Sequence, residues 1–456
     1  MLTSLLETPG SHRWYEFGSF RTDQTERLLL RDGCPIPVSS KTLDVLLLLV
    51  KNAGRLVEKG ELLREIWGDS FVEESNVVVT ISMLRKALGE DNAEHQYIQT
   101  VAKRGYRFVA PVREVVASTE TQWGPAASST SGRGKSASAR AQQLYVEGRY
   151  FWNKRTEAGL LRSIDCFQQA NREDPNYAVA YAGLADSYAL LASYGVDSAK
   201  NAYPAASAAA LKALALDPRS TEAHTSLGMI SFFYEWDWAT AENHFKQAIA
   251  CDQSYPLAHT WYAVQLAAAK KCEQAIEHVQ RAHDLDALSL IVNTEVGRVF
   301  YLCRDYDRAI GAFSRAIDLE PHFARAHSRL GMTFAAQHDF HRAIREFHKV
   351  EQLSGNDPYL DGMLGYCYAS LGEEYVAREL LKKLTREGQP RFVPAYSVAL
   401  ICIGLRERAM AMEWLTKSYD DRSTYLVFAQ TDPLLDPVRS DPDFDRLLQL
   451  MGLQSR

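Results

Sequence analysis

One stretch of the chain, residues 76–107, carries side chains that could recognise nucleic acid. Four of them follow helical spacing on one side of a segment: Asn76, Val79, Thr80 and Met83. Amide and hydroxyl groups can hydrogen-bond base edges in the major groove of DNA, and apolar groups can touch the methyl of thymine. The spacing therefore predicts a helix with a base-reading face.

Positive side chains follow that face. Arg85 and Lys86 lie near the end of the predicted helix, and Lys103, Arg104 and Arg107 lie in the next segment. Contacts to phosphate oxygens orient a protein on DNA without reading its sequence. We therefore predict that Arg85 and Lys86 grip the backbone and that the later three contact phosphates or the minor groove.

The elements that must position these residues are predicted from hydropathy and turn signals. Two short strands surround Asp32-Gly33 within Leu28–Val38. Three helices and two strands follow, in the order Lys41–Asn52, Glu58–Trp67, Ser75–Leu88, Tyr97–Val101 and Tyr106–Val109. In the third helix the predicted core side is Val77, Ile81, Leu84 and Leu88. The order is strands, three helices and a hairpin, which indicates an α+β domain.

Short motifs along residues 13–112 add a family resemblance. They are Leu62-Leu63, Ile66-Trp67, Val77, Ile81-Ser82, Leu84-Arg85-Lys86, Leu88-Gly89, Ile98-Gln99-Thr100-Val101 and Gly105-Tyr106-Arg107-Phe108. This region resembles the winged-helix domain of OmpR/PhoB-type transcription regulators. The resemblance implies that the third helix enters the major groove of double-stranded DNA and that the hairpin meets the minor groove. It also implies contact with RNA polymerase through the Gly68–Glu74 loop.

Residues 113–140 differ in composition from both sides. Ser, Thr, Ala, Gly and Pro make up 18 of these 28 residues. Such a segment buries too little apolar surface to offset the entropy of ordering it. We therefore predict a flexible linker here.

Residues 141–422 carry a repeat. A small residue recurs with apolar or small residues at +4 and +7, which is one face of a helix. Its positions are spaced by 34 residues, at Ala241, Ala275, Ala309, Ala343, Ala377 and Ala411. Two earlier copies begin at Ser163 and Ala206. A second helix precedes each copy, marked by pairs such as Leu330-Gly331.

A two-helix unit of 34 residues resembles the tetratricopeptide repeat. About eight such units would stack into an all-α superhelical solenoid with a concave surface. We expect that surface to hold an unknown protein or peptide ligand. Residues 423–456 are predicted to form a C-terminal capping helix region.

Composition limits the other classes of function. The 456 residues carry a net charge of −6, and residues 1–112 hold 14 basic and 15 acidic residues, so any DNA contact depends on local charge placement. Seven cysteines are scattered and are expected to be reduced. No apolar run approaches the ~20 residues of a membrane helix, and we expect a cytoplasmic protein.

The sequence shows no phosphate-cradling loop, zinc motif or nucleophile elbow. We therefore expect that the protein is not an enzyme and binds no metal or cofactor. His338, His341 and His348 lie close together, but exposed repeat histidines are commoner than metal ligands. The favoured function is sequence-specific DNA binding in transcription regulation, with the repeats sensing or recruiting a partner. The alternative is a repeat scaffold for protein assembly, with the winged helix as a docking module.

Overall fold

The structure is a computed structural model that describes most of the chain in separate stretches. The described residues are 12–23, 28–31, 34–36, 38, 40–67, 74–90, 96–101, 104–117, 138–153, 155–194, 196–355, 357–386 and 393–453. They form two compact units, one within residues 12–117 and one that begins at residue 138.

The N-terminal unit contains two antiparallel sheets. The larger has the strand order β4-β3-β2-β1-β8 and the smaller has the order β5-β7-β6. The strands are β1 (His12–Phe17), β2 (Phe20–Asp23), β3 (Leu28–Arg31), β4 (Cys34–Ile36), β5 (Leu56–Glu58), β6 (Ile98–Val101), β7 (Gly105–Phe108) and β8 (Arg113–Ala117). The prediction of a linker is wrong for Arg113–Ala117, because this strand pairs with β1. Residues 118–137 of that segment lie outside the described residues.

Three helices pack against these sheets: α1 (Ser40–Lys51), α2 (Lys59–Trp67) and α3 (Glu74–Ala87). Their apolar sides meet in one core that includes Leu46, Leu62, Ile81 and Phe108, each 1% exposed or less. Gly105 lies at the crossing of β7 and β5, where a Cβ atom would lie 2.1 Å from the Val57 carbonyl oxygen. The α+β winged-helix prediction is confirmed.

The C-terminal unit is a series of helix pairs, as the 34-residue period predicts. Within the described residues eight pairs follow one another: α4–α5 (Ala139–Asn153, Glu157–Glu173), α6–α7 (Ala178–Ser193, Ala199–Leu216), α8–α9 (Thr221–Ile230, Trp238–Cys251), α10–α11 (Pro256–Ala268, Cys272–Leu285), α12–α13 (Leu290–Leu302, Tyr306–Leu319), α14–α15 (Ala324–Ala336, Phe340–Ser354), α16–α17 (Pro358–Leu371, Glu374–Thr385) and α18–α19 (Ala395–Gly404, Arg408–Asp420). A last helix, α20 (Pro442–Leu450), follows them. The prediction of an all-α solenoid is confirmed.

Close packing inside each pair explains the small residues of the repeat. Ala309 and Ala343 are fully buried, as are the four equivalent alanines of the other 34-residue copies. Gly331 faces the Phe347 ring so closely that a Cβ atom would come within 2.7 Å of it. Gly297 and Phe313 repeat this contact one unit earlier. Small residues on one helix therefore admit the aromatic ring of the other.

The C-terminal segment, residues 424–453, does more than cap the end of the array. Its residues Leu426–Phe428 and Pro433–Val438 form short 3-10 turns with buried side chains. The Tyr301 hydroxyl donates to Asp432 at 2.8 Å across 131 residues of sequence. The Trp238 indole NH donates to the Met451 carbonyl at 3.2 Å across 213 residues. The segment thus joins early and late repeats, and the capping-helix prediction describes only α20.

A disulfide corrects another expectation. Cys272 and Cys303 are bonded, with their Cα atoms 5.8 Å apart. Cys272 begins α11 and Cys303 follows α12, so their 31-residue separation is close to one repeat. That spacing places both at the same edge of adjacent units, which the scattered positions in sequence conceal.

Among the described residues, no helix is both long and apolar enough to cross a membrane.

Candidate nucleic-acid interface

Arg85 fixes the end of α3 against the β6–β7 hairpin. Its Nη2 donates to the Ile98 carbonyl at 2.7 Å and to Thr100 Oγ1 at 2.8 Å. Its Nε lies 3.4 Å from Glu90 Oε2, and the Glu90 side chain is only 2% exposed. The prediction that Arg85 contacts phosphate is wrong in this geometry. Arg85 instead holds the helix and the hairpin in a fixed relation.

Thr80 lies on the inner side of α3. Only 6% of it is exposed, and its neighbours Val77 and Ile81 are 0% and 1% exposed. A buried hydroxyl cannot reach a base edge, so the prediction that Thr80 reads DNA is wrong. The reason is geometric: Thr80 is three residues after Val77 and four before Leu84, and a wide apolar stripe includes it.

A different row of residues faces outward on α3. Val78, Ser82 and Lys86 are exposed, Val78 to 47%, and they lie four residues apart. On a helix such spacing places the three side chains one above another. They offer an apolar surface, a hydroxyl and a positive charge to the solvent. The exposure of Lys86 is compatible with the predicted phosphate contact, which stays a prediction. The sequence analysis assigned no base-reading role to Val78 or Ser82, although their spacing carried the signal.

The β6–β7 hairpin carries two arginines, Arg104 and Arg107. Arg104 pairs with Glu58 at 3.7 Å, and both side chains are more than 60% exposed. Such an exposed pair contributes little stability, so Arg104 can exchange Glu58 for another anion at small cost. Arg107 is half-buried, and its Nη1 donates to Gln99 Oε1 at 3.5 Å. The hairpin thus presents one readily available positive charge and one that is partly engaged.

Some predicted positions fall outside what the structure describes. Lys103 and residues 68–73 of the predicted polymerase-contacting loop lie outside the described residues. Asn76, Val79 and Met83 belong to α3 by their backbone, but their side chains are outside the described part of the structure.

The surface predicted to hold a ligand of the array is largely occupied by the chain itself. Tyr359 of α16 stacks on Tyr425 with ring centres 4.2 Å apart, and the Tyr396 hydroxyl of α18 donates to Asp432 at 2.6 Å. Near α8, Phe233 meets the edge of Phe428. Tyr359 and Tyr396 belong to first helices of the pairs, the helices expected to line the concave side, and Phe233 lies in the turn that follows α8. A peptide bound there would compete with residues 424–438.

Comparison with known proteins agrees with this arrangement of the N-terminal unit. Residues 33–108 match the family described as "Transcriptional regulatory protein, C terminal". The transcriptional regulator HilA of Salmonella typhi is 38% identical over 104 residues, which are 23% of this chain and 18% of HilA. The transcriptional regulatory protein KdpE of Mycobacterium tuberculosis is 32% identical over 96 residues, 21% of this chain and 42% of KdpE. The chain therefore spans less than half the length of either relative.

A tetratricopeptide repeat protein from Parabacteroides merdae aligns with 58% of this chain and 99% of its own, at 14% identity and a TM-score of 0.39. The N-terminal unit is a winged-helix DNA-binding domain of the OmpR/PhoB class of transcription regulators, and a tetratricopeptide-type array follows it. The matched relatives are named as transcriptional regulators.

Proposed function

We propose that this protein is a sequence-specific regulator of transcription that reads promoter DNA with α3 and senses or recruits a partner with its helical array. The observations that carry the proposal are the outward row Val78, Ser82 and Lys86 on α3 and the exposed Arg104 of the hairpin. Arg85 holds α3 and the hairpin together, so both surfaces are presented in one fixed arrangement. RNA polymerase is the partner that the family resemblance suggests.

The residues of this face divide into those that contact phosphates and those that contact bases. Lys86 and Arg104 supply positive charge that can displace counterions from phosphates, which makes affinity fall as salt rises. Ser82 supplies a hydroxyl that can donate to or accept from a base edge, and Val78 supplies methyl groups for contact with thymine. Binding strength and sequence choice should therefore depend on different residues.

The test of gripping is a salt titration of DNA binding by the full chain. We expect Lys86→Ala and Arg104→Ala each to weaken binding to all sequences and to flatten the plot of log affinity against log salt by about one unit. Lys51→Ala removes the same charge from the exposed end of α1, off both elements, and should leave the slope unchanged. Equal effects of all three substitutions would show that general charge, not this face, governs binding.

The test of reading is selection of preferred sequences from a random DNA pool. Ser82→Ala should change the preferred motif, at a cost of about 1–3 kcal/mol on the best site if a good base contact is lost. Thr80→Ala is the matched control, because it removes a hydroxyl from the buried side of the same helix. It should lower stability and return the original motif. A changed motif for Thr80→Ala with an unchanged one for Ser82→Ala would reverse our assignment of the two sides.

A further inference from the structure

The disulfide between Cys272 and Cys303 joins the fourth and fifth helix pairs, and both residues are partly exposed. Exposed disulfides are more easily reduced than buried ones and include the regulatory bonds. Three other cysteines, Cys166, Cys367 and Cys402, are buried thiols, and burial raises their pKa to about 11, 12 and 12. Such thiols are inert, because the thiolate is the reactive form. Exchange with thiols from solution is therefore expected at the bonded pair.

The repeat itself does not require this bond. One unit earlier the equivalent positions hold Trp238 and Ala269, and one unit later they hold Tyr306 and Gln337. In each unit the first of these residues begins the second helix of a pair and the second follows the first helix of the next pair. Adjacent pairs therefore stack at those junctions with no cysteine at these positions, and the bond adds something that packing does not need.

One of the two bonded cysteines borders open space. Cys303 lines a surface cavity of about 450 Å³, whose other lining residues are Arg304, Asp305, Tyr306, Asp307 and Gln337. Of the bonded pair only Cys303 is part of that lining. A cavity of this size admits a small molecule. A small thiol thus approaches the bond from the side of Cys303.

The other cysteine, Cys272, is placed to leave. It is the first residue of α11, a helix of 14 residues, and the N-cap residue Lys271 makes no side-chain hydrogen bond to that helix. The unpaired backbone NH groups and the dipole of a helix favour negative charge at its N-terminus, although Glu273 in the same turn opposes them. A thiolate at a helix N-terminus is stabilised, and a stabilised thiolate is the better leaving group.

Cys303 also lies between two residues that hold the C-terminal segment. The Tyr301 hydroxyl donates to Asp432 at 2.8 Å, and the two Nη atoms of Arg304 donate to the two oxygens of Asp436 at 2.5 Å and 2.7 Å. Arg304 is the residue after Cys303 and lines the same cavity. A covalent change at Cys303 therefore acts on the stretch of backbone that carries both anchors.

We propose that Cys303 is a site of thiol–disulfide exchange with small thiols, and that this exchange sets how firmly residues 424–438 are held against the array. A small thiolate attacks Sγ of Cys303, a new S–S bond joins them, and the bond to Cys272 breaks with its electron pair left on the Cys272 sulfur. A second small thiolate attacks the small-molecule sulfur of this mixed disulfide and releases Cys303 as a thiolate.

The net reaction is balanced. Two small thiols are oxidised to one small disulfide, the cysteine pair gains two electrons, and the two protons of the small thiols pass to Cys272 and Cys303. A small disulfide drives the same steps in reverse. The inference goes beyond the proposed function, because this exchange needs neither DNA nor a protein partner.

The first experiment equilibrates the full chain, without denaturant, in mixtures of reduced and oxidised glutathione. Acid quenching, alkylation and mass spectrometry of peptides then report the state of each cysteine. We expect the Cys272–Cys303 bond in oxidised glutathione and two alkylated thiols in excess reduced glutathione. A bond that survives reduced glutathione until the protein is unfolded would show a purely structural disulfide and refute the proposal, as would two free thiols in oxidised glutathione.

Single variants identify the attacked sulfur. In Cys272→Ser the mixed disulfide on Cys303 has no neighbouring thiol to resolve it, so the glutathione adduct should accumulate there in oxidised glutathione. In Cys303→Ser the remaining Cys272 should react about tenfold more slowly, because access controls the rate of exchange. Cys251→Ser removes a partly exposed free thiol and should leave exchange at the pair unchanged. Faster modification of Cys272 than of Cys303 would contradict our assignment.

Hydrogen exchange tests the effect on the C-terminal segment. Peptides from residues 424–438 should exchange faster in the reduced full chain than in the oxidised one. Arg304→Gln removes the ion pair with Asp436 and keeps both cysteines, so it should give fast exchange in both redox states. Equal exchange in the two states of the parent protein would refute the link to the segment.

Two further measurements keep the results interpretable. Thermal unfolding shows whether each variant folds, and if Cys272→Ser does not, the glutathione titration of the parent protein decides. DNA binding is measured on the same samples. A protein whose disulfide exchanges but which does not bind DNA would refute the proposed function and leave this inference standing, and the opposite result would do the reverse.

Discussion

The two units of this chain place arginine in opposite surroundings. In the N-terminal unit Arg104 is 65% exposed and pairs loosely with Glu58. In the array Arg298 is 3% exposed, pairs with Glu295, and lies 5.1 Å from the centre of the Phe428 ring. An exposed arginine can exchange its partner for a phosphate at little cost, whereas a buried one must keep its partners. Residue type alone therefore does not indicate a binding site; the surroundings decide.

The largest effect is expected from a substitution in the buried interior of the array. Phe428 packs there against the rings of Phe232 and Phe233. Phe428→Ala should destabilise the array by about 3–5 kcal/mol, because a buried ring is lost and a cavity remains. Urea unfolding monitored on the array gives this number. Tyr375→Ala removes an aromatic side chain that is 79% exposed and should change stability by less than about 0.5 kcal/mol. Equal effects would mean that the interior is not a packed core.

A smaller effect is expected at the buried alanines of the repeat. Ala343 is fully buried, and Ala343→Trp should overpack its contact and cost about 1–3 kcal/mol. Since each repeat touches mainly its neighbours, the damage should remain in the array. The melting temperature of the array should therefore fall while a DNA titration of the same sample stays nearly normal. Loss of DNA binding in this variant would show that the two units depend on each other.

The smallest expected effect is a dependence of array stability on pH, from two histidine pairs. His224 and His244 approach at 3.1 Å between Nδ1 atoms, and His259 and His278 at 3.0 Å. Burial lowers the pKa of His244 and of His278, and in each case the paired histidine lowers it further. Glu235 opposes the first shift and Glu277 the second.

The sign of the pH effect follows from those shifts. A histidine with a lowered pKa binds protons more readily in the unfolded chain, so its contribution to stability is present above about pH 6.5 and is lost as pH falls below it. We expect the melting temperature of the array to drop between pH 7 and pH 5. The next repeat supplies the control, since Asn293 makes the loop hydrogen bond at 2.8 Å that histidine makes in its neighbours. His224→Asn with His259→Asn should flatten the pH profile; an unchanged profile would contradict this origin.

The sequence predicts regular packing well, because regular packing repeats. The 34-residue spacing of small residues locates the helix pairs, since each buried alanine meets the same geometry in every unit. The order of elements in the winged helix follows from local signals in the same way. Both predictions depend on contacts that are close in sequence or identical from copy to copy.

Contacts that occur once are harder to predict. Arg85 and Lys86 are adjacent and chemically alike, yet Arg85 binds the Ile98 carbonyl and Lys86 stays exposed, because only one of them points toward β6. The hydrogen bond between Tyr301 and Asp432 joins residues with no periodic relation. Proposing a binding face therefore required the three-dimensional arrangement, and so did finding that residues 424–438 pack against the array.

The position of residues 424–453 has a consequence for how the protein folds during its synthesis. Proteins are made from the N-terminus, at about 5–20 residues per second, and domains often fold as they emerge from the ribosome. A nascent chain that has reached Asp420 already contains all eight described helix pairs, but the partners of Trp238 and Tyr301 in the later segment do not yet exist. During that interval the apolar interior is open to chaperones and to other chains. The DNA-binding unit is synthesised several hundred residues earlier, and it can fold without waiting for the C-terminal segment.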